Sequence, residues 1–346
     1  MRNYHKTYLV GSDSAVISEV VYDLGDLVVA VLGAEGYGAS LGKKSTSTDI
    51  TLYDLKKDED IVTFIEPSRY PERLAPLFYA TSMAKRAILV IDELNSTFGE
   101  CTMMLECLRI EKGYIILRNY LPREKVEPLI RGTVLEKYEF TEDNPTALRI
   151  KLLNEVRQEE QTTTTAEASA TGTVPVDHAF NVKGVGVVVL GIVTRGTIEK
   201  HEVMKVFPGN KTIQIRSIQK HDDDVDKAVQ GDRVGLALKN VDVEDLDRGT
   251  VLTSNTSIIS TTSMKVQASL IKYWPSPIKN GMILHVGHWM QFIPGRVEST
   301  INNGDWRNPF LTITLEKELI HFPGDHAVIM YLDGGKLRIA GTVKLP

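Results

Sequence analysis

The stretch Leu27-Val-Val-Ala-Val-Leu-Gly-Ala-Glu-Gly-Tyr-Gly-Ala-Ser40 decides the fold of the first part of the chain. Its first six residues are continuously apolar and rich in valine, which is typical of a strand buried on both faces of a parallel sheet. Gly33 and Gly38 follow with four residues between them, and Ala39 and Ser40 come next. This is the spacing of a phosphate-binding loop, except that such a loop needs a lysine where Ala39 stands.

A loop of this kind surrounds phosphate oxygens with successive backbone N–H groups at a helix N-terminus. Its lysine neutralises the β- and γ-phosphates, and its serine or threonine hydroxyl ligates Mg²⁺. Gly33, Gly38 and Ser40 keep the backbone and metal parts, whereas Ala39 removes the charge contact. By analogy with buried charge pairs that contact is worth roughly 2–5 kcal/mol. Affinity would then fall roughly 30- to several-thousand-fold. A plain tight turn after a strand explains the glycine pair equally well.

The other sequence motifs of a GTP site follow in the expected order, and most of them are altered. Thr51 can be the switch threonine that ligates Mg²⁺, but Glu66-Pro-Ser-Arg69 stands where Asp-x-x-Gly is needed. Asn119 is kept after the strand at 114–117, while the aspartate that recognises guanine is missing. The sequence therefore predicts a degenerate GTP/GDP site with Mg²⁺ on Ser40 and Thr51. Its residues are Gly33, Gly38, Ala39, Ser40, Thr51, Glu66 and Asn119.

Strands alternate with helices in the first part of the chain, which predicts right-handed crossovers and a mainly parallel sheet. The predicted strands are 27–32, 50–53, 61–65, 87–91, 114–117 and a short one near Tyr138. The predicted helices are 71–84, 99–110, 125–130 and 146–156. A leader would contain a strand at 7–10 and a helix at 14–24. The glycine loop lies at the carboxyl end of its strand, where such sheets bind ligands.

The composition changes after residue 157. Residues 158–173 are rich in Gln, Glu, Thr and Ala without an apolar period, which predicts a linker. Beyond them, short strands punctuated by glycine predict two compact β-barrels, 174–256 and 257–346.

Composition restricts the classes of partner. The 346 residues carry a net charge of −5, so no global basic field favours nonspecific nucleic-acid binding, and we expect no DNA partner. No apolar run reaches the roughly eighteen residues of a membrane helix, and Met1–Thr7 lacks a signal-peptide core. Cys101 and Cys107 are expected to be buried, reduced thiols in a cytoplasmic protein.

Four stretches after the linker carry a family resemblance, in the order in which they occur in domain 2 of SelB-type elongation factors. They are Asp177-His-Ala-Phe-Asn-Val-Lys-Gly-Val-Gly-Val-Val-Val-Leu-Gly191, Arg216-Ser-Ile-Gln-Lys-His221, Gly231-Asp-Arg-Val-Gly-Leu-Ala-Leu238 and Asp247-Arg-Gly249. With the altered GTP motifs before them, the chain resembles the EF-Tu family of translational GTPases. The run 41–53 is similar to archaeal SelB-like factors of the EF-Pyl type.

The resemblance implies an α/β P-loop NTPase-like G domain at residues 1–157, followed by two all-β barrels, as in the EF-Tu three-domain architecture. It implies an elongation factor homologue that binds tRNA or aminoacyl-tRNA, or a ribosome-associated partner. The family's catalytic histidine would fall at Tyr70, so we expect GTP binding and hydrolysis to be weakened or lost.

Five side chains are candidates for contacting tRNA in the groove that the family forms between its first two domains, although Arg233, Arg248 and His178 also suit a structural role. They are His178, Arg216, His221, Arg233 and Arg248. Two alternatives remain open. The first is a slow but working GTPase in which Lys43 or Arg69 compensates for the missing lysine. The second is an interaction scaffold that keeps the fold without binding tRNA.

Overall fold

The structure, a computed structural model, describes residues 26–58, 60–160 and 171–346. The predicted leader strand at 7–10 and leader helix at 14–24 lie outside these residues. The described chain forms an α/β domain followed by two β-barrels, which confirms the predicted fold class.

The first domain is built on one seven-stranded sheet with four helices in its described part. Its strands are β1 Asp26–Leu32, β2 Lys43–Ser47, β3 Ile50–Lys57, β4 Asp60–Pro67, β5 Arg86–Ile91, β6 Gly113–Leu117 and β7 Glu139–Thr141. Its helices are α1 Ala75–Ser82, α2 Ser96–Cys107, α3 Arg123–Ile130 and α4 Pro145–Glu160. The strand order is β2-β3-β4-β1-β5-β6-β7. Strands β4, β1, β5, β6 and β7 are parallel, as predicted, whereas β2 and β3 pair antiparallel at one edge.

Three local features differ from the prediction. Helix α1 begins at Ala75 rather than at residue 71, because Pro76 occupies its first turn, where a missing N–H costs nothing. Helix α2 begins earlier than predicted, since the Asn95 side chain caps it by accepting the Phe98 N–H at 3.1 Å. Strand β2 was not predicted, because its sequence Lys-Lys-Ser-Thr-Ser is polar and exposed.

Apolar residues cover both faces of the sheet. Helices α1, α2 and α3 pack on one face, and α4 packs on the other. The apolar runs of β1 and β5 supply residues to both layers, because alternate side chains of a strand point to opposite faces. Cys101 and Cys107 are free and buried, as expected, and burial raises the pKa of each thiol to about 12.

The second domain contains nine strands in its described part: β8 Thr173–Val182, β9 Gly186–Ile192, β10 Thr197–Glu199, β11 Val203–Phe207, β12 Lys211–Lys220, β13 Asp223–Val225, β14 Lys227–Val229, β15 Arg233–Lys239 and β16 Val251–Thr253. Pairing of β11 with β12 closes the barrel. The third domain is a closed barrel of β17 Ile259–Leu270, β18 Ile283–His288, β19 Gln291–Ile301, β20 Phe310–His321, β21 His326–Met330 and β22 Ile339–Lys344.

The linker is shorter than predicted. Helix α4 continues to Glu160 and β8 begins at Thr173, so residues 158–160 belong to the helix. Most of the remaining linker, 161–170, lies outside the described residues. The proposed boundary between the barrels, 256/257, falls in the connection between β16 and β17.

The three domains share apolar contacts. Val328, Met330 and Ile339 of the third domain belong to the same core as α1 and α2. Met290, in the turn between β18 and β19, packs in a cluster with Ile192 of the second domain and with residues of β1, β3 and β4. The side chain of Met290 therefore sits where all three domains meet.

Candidate functional site

The carboxyl ends of five parallel strands meet at one edge of the sheet, which is where ligands bind in this class of fold. The glycine loop follows β1 at this edge, and Glu66 lies at the end of β4. Asp92, Arg118 and Asp143 come directly after β5, β6 and β7 or close to their ends. Of the predicted nucleotide residues, Gly33, Glu66 and Asn119 lie at this edge. Gly38, Ala39 and Ser40 share the short turn that follows, and Thr51 lies in β3 opposite Glu66.

The two glycines that define the motif are required by close packing. Gly33 has a φ of +92°, and a Cβ there would lie 2.0 Å from the carbonyl oxygen of Val90 in β5. At Gly38 a Cβ would lie 2.5 Å from the Tyr53 ring and 2.9 Å from Glu66 Oε2. Gly33 excludes any larger residue, whether or not a ligand binds, because the obstacle is backbone and its φ is positive. At Gly38 a larger residue would force the Tyr53 and Glu66 side chains to move.

The Glu66 carboxylate occupies the glycine loop. One oxygen accepts the Gly36 N–H, and the other accepts the Gly38 N–H at 2.8 Å. Glu66 is only 4% exposed. Burial raises the pKa of Glu66 above its usual range, against the two N–H bonds, which lower it. Two of the backbone N–H groups that would face a phosphate, those of Gly36 and Gly38, are therefore already paired with an anionic group of the chain.

The segment after the loop differs from that of a working phosphate site. A four-residue 3₁₀ turn, Tyr37–Ser40, replaces the helix whose N-terminus would face a phosphate. Ala39 and Ser40 are exposed, and Ser40 Oγ donates to the Tyr37 carbonyl at 2.7 Å. Thr51 is buried, and its hydroxyl contacts those of Ser47 and Ser68. The hydroxyls of Ser40 and Thr51 are thus engaged separately. Their predicted role as magnesium ligands stays a prediction.

A second set of contacts spans the same edge. The Tyr37 hydroxyl donates to Asp143 Oδ1 at 2.8 Å, and Arg118 Nε lies 3.5 Å from Asp143 and 3.4 Å from Asp92. Asn119 is exposed, and its side-chain amide donates to the Asp92 carbonyl at 3.3 Å. These contacts join the loops after β1, β5, β6 and β7 across the space between the strand ends.

The sequence did not single out Gly36, Tyr37 or Asp143. It identified Glu66 only as a residue that replaces the aspartate of a GTP site. A signal existed for Glu66, since a longer carboxylate at a strand end opposite a loop without its lysine can reach the free N–H groups. No sequence signal pointed to Tyr37 and Asp143, because their contact depends on how two loops that are distant in the chain are positioned relative to each other.

Two of the predicted tRNA residues form ion pairs next to the first domain, one buried, Arg233 with Asp177, and one half-buried, Arg248 with Asp49. Arg233 binds Asp177 through both terminal nitrogens, and its backbone N–H donates to Asp26 at 3.1 Å. Burial would raise the pKa of Asp177, but the Arg233 charge and the bonds from Arg233 and His178 hold it well below its usual range. Arg248 donates to both carboxylate oxygens of Asp49 at 2.7 Å.

The other three candidates differ in exposure. His178 contacts Asp177 at 2.5 Å and the Thr48 hydroxyl of the first domain at 3.2 Å. His221 lies between two carboxylates, with Nε2 3.9 Å from Asp26 and Nδ1 3.8 Å from Asp54. Of the five candidates, only Arg216 is exposed. Contacts of all five with tRNA stay a prediction.

Comparison with known proteins identifies the family. Residues 186–253 match the model of elongation factor Tu domain 2. An uncharacterized protein of Methanocaldococcus jannaschii is 34% identical over 323 residues, which cover 92% of this chain and 99% of that protein. The selenocysteine-specific elongation factor of the same organism is 31% identical over 186 residues. The chain belongs to the EF-Tu/SelB family of translation elongation factors.

Solved structures share the three-domain fold. SelB of Methanococcus maripaludis in complex with the GTP analogue GPPNHP superposes with a TM-score of 0.78 at 20% identity, over 93% of this chain and 79% of that one. The alignment with the selenocysteine-specific factor covers 48% of this chain and only 39% of that factor. Within the described residues, no helix is long and apolar enough to span a membrane, and no group of three His, Cys, Asp or Glu residues could hold a metal.

Proposed function

We propose that this chain is a translation factor of the EF-Tu/SelB family that binds tRNA, or a ribosome-associated partner, while GTP binding and hydrolysis are weakened or lost. One observation carries the loss of nucleotide: the Glu66 carboxylate takes the N–H groups of Gly36 and Gly38. A phosphate would have to displace a buried anion of the same sign. The lysine that could offset this repulsion is missing, because position 39 is alanine.

The charges around the loop oppose a nucleotide as well. The edge carries further carboxylates at Glu35, Asp92, Glu93, Glu142 and Asp143. Arg118 lies among them and already faces Asp92 and Asp143, and Lys44 is a further cation near Glu66. A nucleoside triphosphate with its several negative charges would meet repulsion at this edge, which strengthens as water is excluded.

Titration with mant-GTP, with and without Mg²⁺, tests this part of the proposal. We expect no saturable binding up to about 100 µM nucleotide, which is a very weak limit on the affinity scale. Saturable, Mg²⁺-dependent binding followed by phosphate release would instead establish the slow GTPase. Lys43 and Arg69, which would have to compensate there, are both exposed.

Replacing Ala39 with lysine should not restore nucleotide binding, although it completes the loop motif. Position 39 is exposed on the 3₁₀ turn, and the N–H groups beside it remain occupied by Glu66. The double variant with Glu66→Ala should bind mant-GTP more tightly than either single variant. If Ala39→Lys alone gains saturable binding, the filled loop is not the barrier.

The RNA part of the proposal rests on the surface where the first two domains join. Thr48, in the turn between β2 and β3, contacts His178 of β8 at 3.2 Å, so the two hairpins lie side by side. Exposed side chains of these two hairpins and of β12 combine cations with an aromatic ring, as RNA-binding surfaces do. They are Lys43, Lys44, Phe180, Lys183 and Arg216.

Filter binding with charged and uncharged tRNA decides between a carrier and a scaffold. Arg216→Ala and Phe180→Ala should each weaken tRNA binding by about 5- to 50-fold, the range expected for one lost charged or stacking contact. Lys205→Ala, which removes an exposed lysine from β11, serves as the matched control. Equal and strongly salt-dependent binding to any RNA would favour the scaffold.

A further inference from the structure

Glu66 begins a short segment that reaches both barrels. Two residues on, the Ser68 N–H donates to the Asp49 carbonyl at 2.8 Å, and the Ser68 hydroxyl contacts Thr51. The Asp49 carboxylate in turn binds Arg248 of the second domain. Fixing Glu66 in the glycine loop therefore also fixes the residues that hold the second domain.

The same segment continues to the third domain through Tyr70. Its hydroxyl lies 3.2 Å from the Thr97 carbonyl and 3.1 Å from Glu100 Oε2. Glu100 is buried and accepts three donors of Arg338, namely the backbone N–H at 3.0 Å, Nε at 2.9 Å and Nη2 at 2.6 Å. Five consecutive residues, 66–70, thus connect the glycine loop to an ion pair with each barrel.

Switching GTPases order such segments with the γ-phosphate and its Mg²⁺, and release them after hydrolysis. In this chain an oxygen pair of Glu66 is held by the loop N–H groups instead. We infer that the Glu66 carboxylate is a built-in substitute for a nucleotide phosphate, which holds the three domains in one arrangement without nucleotide. The inference rests on the proposed function, because a loop that bound GTP would have to release Glu66.

A carboxylate of the chain differs from a phosphate in two respects. It cannot be hydrolysed or diffuse away, so its effective concentration at the loop is constant. Its neighbours also limit how firmly it is held. Lys44 favours the charged form of Glu66, while the nearby Glu35 opposes it. The fastened arrangement is therefore a permanent property of the fold, in contrast to a state that follows a nucleotide cycle.

Amide hydrogen exchange on the full chain tests the inference, with Glu66→Gln as the variant and Glu35→Gln as the matched control. Both changes remove one negative charge beside the loop, but only Glu66 accepts the two N–H bonds. We expect exchange at residues 36, 38, 66 and 68–70 to become about 10- to 100-fold faster in Glu66→Gln, as for the loss of a charged hydrogen bond; residue 67 is a proline and carries no amide hydrogen. Glu35→Gln should exchange like the wild type.

Small-angle X-ray scattering on the same samples tests whether Glu66 also holds the three domains together. Glu66→Gln should have a larger radius of gyration than the wild type, and GTP with Mg²⁺ should leave the wild type unchanged. Unchanged exchange in Glu66→Gln, or faster exchange confined to residues 36–38, overturns the inference. If Glu66→Gln does not fold, Tyr70→Phe decides: it should speed exchange around Glu100 and Arg338 only, and an unaltered pattern contradicts the connection.

These readouts separate the inference from the proposed function. Saturable mant-GTP binding by the wild type refutes the proposed loss of nucleotide. Exchange in Glu66→Gln measures the fastening in a sample that contains no nucleotide. A chain that binds no GTP and yet shows no response to Glu66→Gln would retain the proposed function and lose the inference.

Discussion

Replacing Arg233 with alanine should lower the free energy of unfolding by about 3–5 kcal/mol, the cost of leaving one member of a buried ion pair without its partner. Asp177, which Arg233 binds through both terminal nitrogens, has no exposed surface on its side chain. The variant would leave that carboxylate buried beside His178 alone. Urea denaturation followed by far-ultraviolet circular dichroism measures the loss.

Two variants make the Arg233 result specific. Arg216→Ala removes an exposed arginine from the same barrel and should change the free energy of unfolding by less than about 0.5 kcal/mol. Arg233→Leu combined with Asp177→Leu removes both charges and should cost less than Arg233→Ala alone. A loss below about 1 kcal/mol for Arg233→Ala would show that Asp177 finds another partner or water.

Asp26→Asn should become progressively more stable relative to the wild type as the pH rises, by about 3–4 kcal/mol between pH 4 and pH 8. Burial, reinforced by Asp232, raises the pKa of Asp26 to about 7, against the charges of Lys220 and Lys85 and the Arg233 N–H, which lower it. His221 also faces it at 3.9 Å. One carboxylate oxygen, Oδ1, is buried without a hydrogen-bond partner.

The sign follows from the proton count. Between the ordinary aspartate pKa and about 7, the folded chain keeps a proton on Asp26 that the unfolded chain has lost. Wild-type stability from this group therefore falls as the pH rises through that window. Comparing denaturation of both proteins at several pH values isolates the effect. The exposed Asp222→Asn is the control, and a flat difference for Asp26→Asn contradicts the prediction.

Regular features of the first domain followed from local sequence. The apolar run before Gly33 predicted β1, and the alternation of strands with helices predicted the parallel order β4-β1-β5-β6-β7. Both predictions depend on which side chains are buried, and the pattern of apolar residues indicates this directly. Helix starts were less accurate, since Pro71 and Pro76 both suit a first turn and the sequence does not decide between them.

The contents of the candidate site could not be predicted in the same way. Ala39, Arg69 and Tyr70 showed that a GTP site was altered, but a sequence does not reveal which group fills the space that remains. Glu66 reaches the loop only because β4 lies next to β1 and because Gly38 leaves room beside Tyr53. Likewise, Arg233 and Arg248 were candidates for RNA contacts, while the structure shows that the Arg233 side chain binds Asp177 within the second domain and that Arg248 binds Asp49 of the first domain.

Gly33 has a consequence for how nucleotide-binding motifs are interpreted. The carbonyl of Val90 would lie 2.0 Å from a Cβ at this position, so the backbone of the neighbouring strand demands the glycine by itself. A chain that no longer binds its ligand would still need glycine at this position, because any other residue would force β1 and β5 apart. The first glycine of such a motif is therefore evidence for the fold alone. Evidence for a bound nucleotide has to come from a lysine directly after the second glycine.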